Sequence, residues 1–139
     1  MMTVRQGRFV RFPVEMGIFL TTVGVESPLR RGEIRFIENA LVDTGSEFTW
    51  IPATILEELG IGRERVEHFA MADGTVVSRE CGYAIVHADR RSTVDDVIFG
   101  WPGDTAILGA RSIEGLNFRV DLMNKRFVHA GPRPVALVV

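Results

Sequence analysis

Between Arg8 and Glu26 the run RFVRFPVEMGIFLTTVGVE alternates loosely between apolar and polar positions, is rich in β-branched and aromatic residues, and is broken by Pro13 and Gly17. Two strands are expected there, because alternate side chains of a strand face opposite sides of a sheet. The run Glu33 to Val42 (EIRFIENALV) alternates and then closes on Ala40-Leu41-Val42. It reads as a strand that becomes fully buried just before Asp43. Pro52 and Gly60 bracket Ile55, Leu56 and Leu59, the apolar side of a short helix. Strands then return. VEHFAMA and TVVSRE flank Asp73-Gly74, a dipeptide suited to a two-residue hairpin turn, and GYAIVHA, DDVIFGW and TAILG follow. A second short helix fits Ala110 to Glu114. The remainder, NFRVDLMNKRFVHAG, alternates about a turn at Asn124-Lys125 and leads into PVALVV, an apolar end of the kind that pairs with another chain.

These elements predict one mostly β domain over residues 1–139, a closed or orthogonally packed sheet with one or two short helices and no internal repeat. A length of 139 residues allows a real core but not two full lobes, so a site needing two lobes must borrow the second from another copy. The composition is 46% hydrophobic and the formal charge is -2, with charges spread along the chain. That argues against nucleic acid as a partner. Cys81 has no internal disulfide partner, and His68, His87 and His129 lie far apart in sequence, so no metal is expected. With no long apolar run and no signal-like start in MMTVRQGRFVRF, a soluble cytoplasmic protein without membrane contact is expected.

The residues that carry chemistry are Ala40 to Ser46. An acid that follows three apolar residues and opens a Thr-Gly turn is a carboxylate held at the edge of a core. Gly45 lets main-chain N–H groups fold back onto the carboxylate, and Thr44 and Ser46 add hydroxyls that can fix the loop. The structural alternative is that Asp43 only caps its own turn. Asp104-Thr105-Ala106 lacks the glycine and reads as a surface turn. Asp95-Asp96 and Arg90-Arg91 read as decoration on the solvated side of a strand pair. Trp50 and Trp101 are expected in the core or a groove wall, Cys81 as a small buried residue, and His68 on a hairpin surface.

Asp43-Thr44-Gly45-Ser46, Thr49 with Ile51-Pro52, Ala72-Asp73-Gly74-Thr75, Ile107-Leu108-Gly109 and Val120-Asp121 together resemble the retropepsin-like aspartic peptidases, especially their small prokaryotic members. The resemblance runs from about Ala40 to Val128. It implies a retropepsin fold and a homodimer that acts on a peptide or protein substrate without a cofactor. Each protomer would supply one Asp43 as catalytic acid, with Thr44 gripping the opposite loop and Gly45 and Ser46 shaping it. The hairpin at Ala72, Asp73, Gly74 and Thr75 would be a flap, and Ile107, Leu108 and Gly109 would pack beneath the catalytic loop. The flap turn departs from the glycine-rich apolar tip of viral members, so their substrate preference does not carry over. Two rival functions are an actin-like phosphate loop, which needs two α/β domains, and a peptide-binding dimer with an idle dyad.

Overall fold

The computed structural model describes residues 18–137 and, before them, the backbone of two antiparallel strands, β1 (Met2–Arg5) and β2 (Arg8–Arg11). The break expected at Pro13 and Gly17 lies outside the described residues, as do Val138 and Val139. The main sheet contains β3 (Leu20–Glu26), β4 (Arg35–Asp43), β5 (Thr49–Pro52), β6 (Arg65–Ala70), β7 (Val76–Ala88), β8 (Arg91–Gly100) and β9 (Ile107–Gly109). Their order is β3-β4-β9-β5-β8-β7-β6, and β3 also pairs with β7. That extra pairing closes the sheet on itself and leaves β6 outside the closure, on its edge. Two six-residue helices, α1 (Ala53–Glu58) and α2 (Ala110–Gly115), and a separate hairpin of β10 (Phe118–Asp121) and β11 (Arg126–His129) complete the chain. The fold is mostly β, and the helices are too short for the α/β layers of an actin-like nucleotide fold.

The strand that leads to Asp43 shows how the pattern and the packing are reconciled. Ile37, Ala40 and Val42 are all buried, although strict alternation would send Ile37 and Ala40 to opposite faces. Pairing with β3 steps from Thr21↔Ala40 to Val23↔Ile37, so one residue of β3 faces two of β4, and Asn39 adopts φ 59°. This bulge restores the core-facing phase before the strand reaches Asp43.

Two apolar clusters lie on opposite sides of the same strands. Val97 and Phe99 enter the larger one with Val42, Ile51, Val86 and Leu108. Ile98, between them, joins the smaller one with Phe48 and Cys81, against which Trp50 and Phe69 pack. Each fully buried side chain of this size stabilises the fold by about 1.5–3 kcal/mol. The smaller cluster also fixes where the β6–β7 hairpin lies relative to the segment after Asp43.

The turns differ in detail from the sequence reading. Gly74 N–H donates to Met71 O at 2.9 Å and Met71 N–H to Thr75 O at 2.7 Å, so Met71 and Thr75 close a three-residue turn, 72–74, with Gly74 at φ +88°, not a two-residue Asp-Gly turn. A turn followed by a left-handed glycine makes this bulged loop. Pro52 caps α1 from outside rather than opening it, and Gly60 follows its end at φ +73°. The strand expected over TAILG is confined to Ile107–Gly109, and the β10–β11 loop spans residues 122–125. No helix among the described residues is long and apolar enough to cross a membrane.

Candidate active site

Asp43 is the last residue of β4 and stands half-exposed at the edge of the core. Its loop turns back at once: Ser46 N–H donates to Asp43 O at 3.2 Å. Gly45 N–H donates to Oδ1 at 2.9 Å and Ser46 Oγ donates to Oδ2 at 2.9 Å. The Gly45 bond is the Asx-turn contact, so Asp43 does cap its own loop. Each carboxylate oxygen nevertheless keeps acceptor capacity for a further ligand. Among the described residues no basic side chain pairs with Asp43, and the exposed Thr44 hydroxyl makes no hydrogen bond.

The loop rests on β9 and α2. β9 runs parallel to β4 in the register Leu41↔Ile107, Val42↔Leu108 and Asp43↔Gly109. Ala110 N–H donates to Ser46 O at 2.7 Å and Arg111 N–H to Glu47 O at 3.1 Å. Two helix-terminal donors that would otherwise lack partners thus hold the Asp43 loop. A Cβ on Gly109 would stand 2.3 Å from Phe48 O, so only glycine allows this approach.

Beneath these contacts lies a polar chain that the sequence reading missed. Buried Thr49 Oγ1 accepts from Gly109 N–H at 3.0 Å and lies 2.6 Å from Ser112 Oγ, which donates to Asp95 Oδ2 at 2.8 Å. Asp95 therefore does not decorate a solvated face; it is buried, and Asp96 is partly buried beside Arg65 and Arg111. Burial pushes the Asp95 carboxyl above its usual range, opposed by the Ser112 hydroxyl, the Asp96 N–H and the Arg111 charge. The signal was present in the alternation, since residues 95, 97 and 99 share one strand face and Val97 and Phe99 are core. Arg90 and Arg91 are exposed, as expected.

The β6–β7 hairpin packs its inner face onto the segment following Asp43. Phe69 meets Phe48 edge-on at 5.8 Å and Trp50 at 4.8 Å between ring centroids. Its tip, Ala72 to Thr75, is exposed, and Asp73 Oδ1 accepts from Thr75 N–H at 2.9 Å and Thr75 Oγ1 at 2.6 Å. Lower in the hairpin, Arg79 makes a bidentate pair with Asp104 at 2.7 and 3.0 Å. Asp104 also accepts from Trp101 N–H at 2.7 Å, and the Arg79 guanidinium lies 3.9 Å from the Trp101 ring centroid. Asp104 does sit in a turn, and its carboxylate is paired there with the Arg79 guanidinium. Trp101 is 58% exposed and so is not a core residue, whereas Trp50 is half-buried.

The other singled-out residues lie elsewhere. Asp121 holds the β10–β11 loop through Asn124 and Arg126, His68 is exposed beside Ser78, and Cys81 is buried. Among the described residues no three His, Cys, Asp or Glu side chains are grouped so as to hold a metal ion. No family model matches the sequence, and no curated protein matches it.

Proposed function

We propose that the chain is one protomer of a retropepsin-like aspartic endopeptidase, a homodimer in which the Asp43 carboxylates of two copies share one active site. The observation that carries this reading is the Asp43 loop itself. Its carboxylate is presented half-exposed at the end of a buried parallel strand pair, with both oxygens oriented by the loop and, among the described residues, no cation paired with it. The closed sheet and the hairpin packed onto Phe48 and Trp50 support the same fold. Asp104 is committed to Arg79, which favours a second acid supplied by a second copy. The exposed Thr44 and the exposed apolar Val135 and Leu137 give that copy surfaces to engage.

Two carboxylates within hydrogen-bonding distance cannot both ionise, so the pair holds one proton and titrates as a unit. The ionised member takes a proton from a water as that water attacks the peptide carbonyl. The protonated member donates to the carbonyl oxygen, where negative charge develops. The chemistry itself requires no cofactor. The β6–β7 hairpin would close over an extended peptide and hold it by main-chain hydrogen bonds.

Digestion of a peptide library, read by mass spectrometry, tests the proposal. Cleavage should be blocked by a statine-type inhibitor, peak on the acid side of neutral and vanish in Asp43→Asn while the dimer stays folded. Peptides bound but never cut would identify the idle binding dimer instead. Cleavage that survives Asp43→Asn would remove the dyad from the mechanism.

A further inference from the structure

We infer that Asp95 is a positioning residue for the Asp43 loop, its carboxylate fixing, through Ser112 and Thr49, the Gly109 peptide against which the loop rests. The functional part of this inference rests on the peptidase reading; the structural part does not. The directions of the hydrogen bonds are forced. With Asp95 ionised, Ser112 Oγ must donate to the carboxylate; its one proton is then used, so Thr49 Oγ1 donates to Ser112 Oγ and accepts from Gly109 N–H. An ionised carboxylate accepts only, so it ends the chain and gives every member one orientation. Charge at the end strengthens each bond before it.

Asp95 also reaches the far side of the loop. Arg111 Nε lies 3.7 Å from Asp95 Oδ1 and its Nη2 3.4 Å from Asp96 Oδ2. The same guanidinium stands 5.0 Å from the Phe48 ring centroid, and Arg111 N–H donates to Glu47 O at 3.1 Å. One route from Asp95 thus ends at Gly109, the register partner of Asp43, and the other at Glu47 and Phe48, where the loop rejoins β5. No buried side-chain nitrogen or oxygen among the described residues lacks a partner, so deleting one member leaves its neighbour unsatisfied. A surface pair would relax into water. This one is shielded beneath α2 and β8.

The test combines amide hydrogen exchange at Gly109, followed by NMR, with peptide cleavage, in Ser112→Ala, Asp95→Asn, Thr49→Val and Thr49→Ser. The first three should raise the Gly109 exchange rate at least tenfold. They should lower kcat by roughly 10- to 100-fold with KM nearly unchanged, because the substrate still binds while the acid is misplaced. Thr49→Ser keeps the hydroxyl and should restore both values to within about threefold of wild type, which a purely volumetric role for Thr49 would not predict. Gly109 exchange needs no substrate. An inactive wild-type protein would therefore count against the peptidase reading while the exchange data still decide whether Asp95 fixes Gly109. Should Asp95→Asn not fold, Ser112→Ala interrupts the same chain and leaves the carboxylate in place. Wild-type Gly109 exchange in folded Ser112→Ala would overturn the inference, as would a raised KM with unchanged kcat.

Discussion

Gly109→Ala isolates the contact on which the site geometry depends. Its added Cβ would lie 2.3 Å from Phe48 O, 2.5 Å from Phe48 C and 3.0 Å from Glu47 O. A close carbon–oxygen contact is about 3.3 Å, so relief requires about 1 Å of movement by backbone on one side or the other. No flexible side chain can absorb it, because all three atoms are main chain. Overpacking of this kind costs about 1–3 kcal/mol, and a reacting group displaced by 1 Å loses about 10²-fold in rate. Gly109 has φ -92°, within reach of alanine, so the effect is steric and not conformational. Gly62→Ala is the control: its nearest atom is Glu64 Oε1 at 3.6 Å, an ordinary contact, and it should be neutral or slightly stabilising. Urea unfolding of both variants, with peptide cleavage at saturating substrate, measures the two effects separately. Gly109→Ala should lower stability by about 2 kcal/mol and kcat by about 10²-fold. Equal stability and activity for the two variants would refute the idea that β9 and the Asp43 loop are in rigid contact.

Two further outcomes follow from buried groups. Glu26 is buried and accepts from Gly32 N–H at 2.8 Å, with Arg31 at 3.3 Å and His87 at 2.6 Å, and these hydrogen bonds hold its carboxyl below the usual glutamate range despite burial. A depressed folded value stabilises the protein above the unfolded value and loses that contribution as pH falls through the folded one; Glu26→Gln should flatten the acid limb of a stability–pH curve, and an unchanged limb would contradict this. Burial pushes the Cys81 thiol up to about 11, so iodoacetamide at neutral pH should label it only after denaturant is added; rapid labelling of the folded protein would show that β7 opens locally.

The parts legible in the sequence are those set by short-range pattern. The strand ending at Asp43, the Pro52 and Gly60 punctuation of α1 and the short strand at Ile107–Gly109 follow from local pattern, although Leu41 within the apolar triplet is only half-buried. What stayed hidden depends on partners distant in the chain. Alternation with Val97 and Phe99 puts Asp95 on the core side of β8, but its partner Ser112 reaches it only through the packing of α2. The β6–β7 turn followed its Asp-Gly dipeptide in place but not in length, since Met71 and Thr75 close around the left-handed Gly74. Arg79 gave no hint of its role until the turn at Asp104 came beside β7. The bulge at Asn39 was likewise invisible, although Ile37 and Ala40 already stood at a spacing that plain alternation cannot bury together.

The central claim is that one active site uses Asp43 from two chains, and mixing tests it most directly. Wild-type protein and Asp43→Asn are combined under conditions where protomers exchange, and cleavage is measured against the wild-type fraction. The heterodimer population is measured in parallel by native mass spectrometry with a tagged mutant. A lone carboxylate beside an amide cannot be base and acid in one step, so only dimers with both acids should cleave. Activity should then follow the square of the wild-type fraction, about one quarter at an equal mixture under two-fold pairing. A linear dependence after correction for pairing, with about half the activity at that mixture, would contradict the shared dyad even if the protein were a dimer and Asp43 essential.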